Sequence, residues 1–207
     1  MAEPLCDLLV TGADLVATVD DDRREIAGGW VAIDDGLVVA LGGPGDAAPT
    51  GRDVLSAAGC LVTPGLINTH HHIYQNLTRS YRPAVNGSLF QWLTTLYPRW
   101  ALLDEEAAYV SAWVGLAELA LGGCTTSTDH LYVHPRGGGD LISAEITAAR
   151  ELGMRFHPTR GSMSLSEKDG GLPPDSVVQD DDEILADSER LVAKHHDPSW
   201  GAMVRIA

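Results

Sequence analysis

The sequence predicts an α/β fold in which a small β module precedes parallel βαβ units. Two observations carry this reading. The first sixty residues hold short β-rich runs separated by Gly, Asp and Pro clusters. From Leu61 onward, apolar strand-like runs alternate with segments of helical length and roughly 3.6-residue period. Alternation of that kind joins parallel strands through crossover helices.

Element by element, Leu8 to Val10, Leu15 to Val19, Trp30 to Ile33 and Leu37 to Leu41 read as strands. Asp35-Gly36 between the last two is a hairpin turn, and Pro44 to Gly51 is a loop. A strand from Leu61 to His72 opens the second region, followed by a long aromatic-rich connection through Trp100. Asp104-Glu105-Glu106 starts a helix with Val110, Trp113, Val114 and Leu121 as its apolar positions, and Gly122-Gly123 ends it. Thr125 to Asp129 is a short β-branched strand. Leu141 to Leu152 is a helix stopped by Gly153, and Met154 to Thr159 is the next strand. Ile184, Leu185, Leu191 and Val192 mark another helix, and Ala202 to Ile206 begins a fourth strand.

The chain has 207 residues, with 14 basic against 29 acidic side chains and a net charge of −15. Nucleic-acid binding needs a basic patch, and none is visible. The acidic run Asp180-Asp181-Asp182-Glu183 suits the positive end of a helix dipole. Cys6, Cys60 and Cys124 lack paired spacing, which predicts reduced thiols and a cytoplasmic location. Residues 1–19 carry acids and no basic region before an apolar core, unlike a signal peptide. The greasiest segment, Val110 to Leu121, contains Glu118 and is too short to cross a bilayer, so no membrane partner is expected.

Chemistry concentrates in Pro64 to His72, which reads PGLINTHHH. In a continuous strand, His70 and His72 share one face, about 6.6 Å apart at ~3.3 Å per residue. His71 then points the other way. Two imidazoles so placed can share a divalent ion, whereas the bland reading is a solvated strand end. The apolar run leading into them favours metal, because it sets the rings where a buried strand emerges.

PGLINTHHH with Ile73-Tyr74-Gln75 resembles the first barrel strand of the amidohydrolase superfamily, in its nucleobase and cyclic-amidine deaminase branch. SLFQWLTTLYPRW from Ser88, GGCTTSTDHLY from Gly122, TRGSMSLSEKDGGLPPD from Thr159 and ILADSERLVAKHHD from Ile184 extend the likeness. Together they are most similar to 8-oxoguanine deaminases, with hydroxytriazine aminohydrolases close by. The resemblance implies the N-terminal part of a (β/α)8 TIM-like barrel (residues 61–207) preceded by part of a β-sandwich (residues 1–60). It implies one zinc or iron ion held by His70 and His72, with further histidines and an aspartate from later strands. It also implies hydrolytic release of ammonia from a small purine-like heterocycle, 8-oxoguanine foremost, and a homo-oligomer for the intact parent. Hydroxytriazine aminohydrolase, guanine deaminase, a ring-opening amidohydrolase and an inactive remnant are the alternatives.

For the substrate, Gln75 stands where guanine-type deaminases carry a glutamine that pairs with the purine edge; otherwise it is a surface amide. Arg160 and Ser162 follow a strand end. The guanidinium could bind a purine carbonyl oxygen, or pair with a loop carboxylate such as Asp169. Trp92 and Tyr97 read equally as an aromatic wall for a flat ring or as core. His130 is expected to orient a ligand, while His134, His157, His195 and His196 are ordinary structural or surface groups.

A full eight-stranded barrel takes roughly 250 residues, and this region supplies three βα units and the start of a fourth strand. The expectation is the N-terminal piece of a longer, truncated enzyme, and the resemblance implies that it is inactive by itself, because the family's proton-shuttling glutamate and aspartate come from later strands. Alone it exposes apolar edges and faces. The purified chain should therefore aggregate or require a partner; monodisperse elution with a cooperative melt refutes this.

Overall fold

The structure is a computed structural model that describes residues 5–207. It divides into two compact units, one up to Pro64 and one from Gly65.

The first unit is built from two sheets. β1 (Leu5–Thr11), β4 (Trp30–Asp34), β5 (Leu37–Gly42) and β6 (Thr50–Ser56) form one, in the order β5-β4-β1-β6. β2 (Leu15–Ala17), β3 (Glu25–Ala27) and β7 (Leu61–Val62) form the other, with β2 central. Val16 of the second sheet packs with Val31 of the first and with Ala13 and Ala57, so the sheets share an apolar layer. The expected hairpin is present: Asp35 and Gly36 both have positive φ, 48° and 74°, as a two-residue turn matched to strand twist requires. Two strands, β3 and β6, went unread in the sequence. β6 starts inside the segment expected to be loop, and its Asp and Arg residues dilute the alternation that marks a strand.

The second unit begins with a parallel sheet of β8 (Leu66–Asn68), β9 (Cys124–Leu131) and β10 (Arg155–Arg160), in that order. α2 (Glu105–Leu121) leads into β9, and α3 (Leu141–Leu152) leads into β10. α1 (Leu89–Trp100) precedes them, and α4 (Asp181–His195) follows. The fourth strand is a single parallel bridge between Phe156 and Val204, extended by Ala207 N–H to Pro158 O at 3.1 Å. This is a mixed α/β architecture of consecutive parallel strands with intervening helices. None of the helices among the described residues is long and apolar enough to cross a membrane. The three cysteines are unpaired, with Cys6 and Cys124 buried.

Three expectations need correction. The run from Leu61 to His72 is not one strand. Leu61–Val62 pairs with β2, the chain breaks at Thr63-Pro64-Gly65, and β8 then ends at Asn68. Proline has no N–H to give a ladder, so the strand is interrupted there. The connection through Trp100 contains α1, whose start is fixed by a capping box between Ser88 and Gln91. Pro98 and the β-branched threonines of α1 masked its helical character.

The third correction concerns α2. Its buried positions are Ala108, Ser111, Ala112, Gly115 and Leu116, while Val110, Trp113 and Val114 are more than two-fifths exposed and Leu121 is 90% exposed. Small residues let α2 approach its neighbours closely: a Cβ on Gly115 would stand 2.3 Å from Asn76 Nδ2 and 3.4 Å from Ile73 Cγ2. The larger side chains therefore lie on the outer face, and apolar periodicity alone selected the wrong side.

Leu116, Ile142, Ile146, Phe156 and Leu191 lie fully buried in the core of the second unit. Leu116→Ala should cost roughly 2–5 kcal/mol through lost burial and the cavity left, whereas Leu121→Ala should stay within about 0.5 kcal/mol. Urea unfolding followed by tryptophan fluorescence distinguishes the two; equal effects would mean the faces of α2 have been misassigned.

Candidate metal centre and its cavity

His70, His71 and His72 lie in coil, just beyond the carboxyl end of β8 and just before a 3-10 turn over Ile73–Thr78. Three consecutive hydrogen bonds pin this segment to the end of β9. His130 N–H donates to His71 O at 3.0 Å, His72 Nδ1–H donates to His130 O at 2.7 Å, and Ile73 N–H donates to Asp129 Oδ1 at 2.7 Å.

The middle bond fixes the chemistry of His72. A carbonyl oxygen only accepts, so Nδ1 carries the proton and Nε2 keeps its lone pair for a cation. Metal-binding histidines are typically oriented by such a bond from the far nitrogen. The ring centres of His70 and His72 are 5.3 Å apart with planes at 90°. Two imidazoles on one tetrahedral zinc, at about 2.0 Å per Zn–N bond, hold their ring centres roughly 5 Å apart. The pair therefore fits a shared divalent ion. Among the described residues, no group of three His, Cys, Asp or Glu side chains forms a metal-binding cluster.

His71, expected on the opposite face, borders the same cavity as its neighbours. Strand alternation does not apply to it, because the strand has already ended. Burial and the neighbouring His72 push its pKa down, and burial does the same for His130. The His130 ring sits 5.5 Å from that of His72, but its backbone carbonyl is what orients His72.

One cavity of about 390 Å³ is bordered by the three histidines together with Gln75, Arg79 and Trp92. Gln75 sits on the turn after the histidines, its Nε2 3.5 Å from Tyr74 Oη. Trp92 projects from α1 with its ring centre 5.1 Å from that of Trp100. Tyr97, its expected companion, is core instead, buried against Trp100. A smaller hollow of about 210 Å³ joins the histidines to Thr128, Asp129, His130 and Thr159. These residues lie at the carboxyl ends of β8, β9 and β10, the face on which barrel enzymes build active sites.

Arg160 and Ser162 border neither cavity. The Arg160 side chain is 1% exposed: Nε donates to Asp187 Oδ2 at 2.9 Å, Nη1 to Gly161 O at 2.9 Å, and Nη2 to Gln179 Oε1. The ion-pair alternative thus describes Arg160, with Asp187 of α4 in place of Asp169. Ser162 is exposed. His134, His195 and His196 bond Gly161 O, Ser143 Oγ and Ile206 O respectively, and are structural. His157 has its Nε2 buried without a partner.

Sequence reasoning missed Asp129 and Glu145. Both are buried, Asp129 at 1% exposure and Glu145 at 0%. Glu145 interrupts the buried stripe Leu141, Ile142, Ile146 and Ala149 of α3, and a carboxyl on such a stripe was the available signal.

The chain belongs to the amidohydrolase family, which its residues 61–201 match. It is 51% identical over 183 residues to an 8-oxoguanine deaminase of Pseudomonas aeruginosa, covering 87% of this chain and 40% of that protein. It is 38% identical over 209 residues to a hydroxydechloroatrazine ethylaminohydrolase of a Pseudomonas species, covering 96% and 44%. Among solved structures, an atrazine chlorohydrolase of Arthrobacter aurescens complexed with zinc superposes with a TM-score of 0.89 at 31% identity, covering 97% of this chain and 46% of that one. A guanine deaminase of Escherichia coli, 21% identical with a TM-score of 0.72, shares the fold. The chain therefore spans less than half the length of these relatives.

Arg160 tests the division between framework and site. Burial pushes Asp187 up, but hydrogen bonds from Arg190 and Arg160 prevail and hold it below the usual carboxylate range. A depressed folded value stabilises above the unfolded pKa, about 3.9, and fades as pH falls through the folded one. Asp187→Ala should cost roughly 2–3 kcal/mol at neutral pH, below the full value for a buried pair because Asp187 is 26% exposed. Urea midpoints at pH 7 read this, and an unchanged midpoint would release Arg160 for another role.

Proposed function

We propose that this chain contributes the first part of the active site of a metal-dependent hydrolytic deaminase, acting on a purine-like heterocycle with 8-oxoguanine foremost. The observation that carries the reading is His72, with Nδ1–H committed to His130 O and Nε2 free, 5.3 Å ring-to-ring from His70. His70 and His72 would hold zinc or iron, and the metal when bound lowers the pKa of water toward ~7. Protein ligands in zinc sites number at least three. Further donors must therefore complete the pair.

The rest follows from the chain's own side chains. Gln75 borders the cavity and offers an amide donor and acceptor, the complement of an N–C=O ring edge. Trp92 gives the same cavity a flat apolar side against which a planar ring can lie. The resemblance to 8-oxoguanine deaminase at 51% identity supports the substrate choice, and the ethylaminohydrolase at 38% supplies a competing one.

The test measures ammonia release from 8-oxoguanine and guanine, and amine release from a hydroxylated ethylamino-triazine, with zinc or iron supplied. A polypeptide containing residues 1–207 and a completed donor set should prefer 8-oxoguanine. His72→Ala should lower its kcat/KM by at least about 10²-fold, the order by which enzymatic groups commonly act. Preference for the triazine would reassign the substrate. Full activity in His72→Ala would remove the metal assignment, and enzyme-like turnover by the 207 residues alone would show that the pair needs no completion.

A further inference from the structure

Behind the histidines lies a pair of carboxyl groups that the proposed chemistry does not use. Asp129, at the end of β9, and Glu145, in the middle of α3, are both buried. Written as two carboxylates, Asp129 Oδ2 and both oxygens of Glu145 have nothing to accept from. Two buried like charges in contact are strongly disfavoured, so one proton between them resolves both problems. It makes one group a donor and the other its acceptor. Burial, followed by the neighbouring Asp129 carboxyl, pushes Glu145 well up; burial also raises Asp129, against the pull of the Ile73 and His130 backbone N–H groups.

The other oxygen of Asp129 has a defined task. Oδ1 accepts the N–H of Ile73, the residue directly after His72, at 2.7 Å in a buried setting. The His72 ring is in turn bonded to the carbonyl of His130, the residue directly after Asp129. One side chain thus ties together the two backbones between which the His72 ring is stretched.

We propose that Asp129, backed by Glu145, is the positioning residue that fixes the orientation and tautomer of His72. The consequence for metal affinity rests on the function proposed above; the positioning itself does not. The pair works as acid and carboxylate, so an amide can replace either member. Asp129→Asn keeps an Oδ1 acceptor for Ile73 and turns an NH2 donor toward Glu145. Asp129→Ala removes both.

The experiment, on a polypeptide that contains residues 1–207 and a completed donor set, is 15N NMR of the histidine rings without metal, followed by Co2+ titration of the same samples. In the native protein and in Asp129→Asn, His72 should show one fixed tautomer, protonated at Nδ1. Asp129→Ala should give averaged ring nitrogens at His72, while His134, bonded to Gly161 O elsewhere in the unit, keeps its native signature and reports an intact fold. Cobalt affinity should then fall 10–100-fold in Asp129→Ala, the range for partners that orient metal ligands, and stay near native in Asp129→Asn. Unchanged His72 shifts in a folded Asp129→Ala overturn the inference, as does an Asp129→Asn that loses as much as Asp129→Ala. If Asp129→Ala fails to fold, the native protein decides. A scalar coupling across the bond from the Ile73 amide nitrogen to the Asp129 carboxyl carbon supports the inference, and its absence overturns it. A fixed His72 tautomer in a protein that takes up no cobalt would leave the positioning role standing and remove the metal reading.

Discussion

Everything distinctive about this chain hangs on the stitching of residues 71–73 to the end of β9. The histidines have left their strand, so no sheet ladder holds them. Unheld, a coil segment of this kind loses its geometry to conformational entropy, at roughly 1–2 kcal/mol per ordered backbone. Three hydrogen bonds from three successive residues replace the ladder, and one of them involves an imidazole nitrogen directly. The bond that keeps the segment in place therefore also selects which nitrogen of His72 is basic. Local folding and chemical readiness are the same interaction here.

That dependence explains what the sequence disclosed and what it concealed. The pairing of His70 with His72 was legible because the motif PGLINTHHH states it outright, and the α/β alternation was legible from residue period. The reason given for the pairing was incomplete. Alternation along a strand was expected to align the two rings, yet the strand ends at Asn68 and hydrogen bonds to β9 set the His72 ring. No local pattern shows a bond between residues 58 positions apart. Asp129 stayed hidden for the same reason, whereas Glu145 was marked only by its interruption of the apolar stripe of α3.

The helices teach a related lesson. α3 was readable to its terminal residues because its large apolar side chains do face the core. α2 was placed correctly but turned the wrong way, because close approach to α3 and to the turn at Ile73 selects Ala, Ser and Gly at the contact. Hydrophobicity scales reward size, whereas close packing rewards fit. The distinction reaches the site: Ile73, against which Gly115 packs, is the residue whose N–H Asp129 holds. A bulky α2 interface would push on that turn and, through it, on His72.

The division of labour among charged groups follows from solvent access. Arg160 looked like a substrate contact because it stands at a strand end, where ligand-binding residues gather. With its side chain 1% exposed and its donors turned toward Asp187, Gln179 and Gly161, it instead joins β10 to α4. The groups left facing the cavity, His70, His71, Gln75 and Trp92, come from the histidine segment, the turn that follows it and α1, not from the far strand. The residues bordering that cavity are therefore concentrated within some two dozen positions after β8. The end of β9 holds that stretch through its bonds to His71, His72 and Ile73.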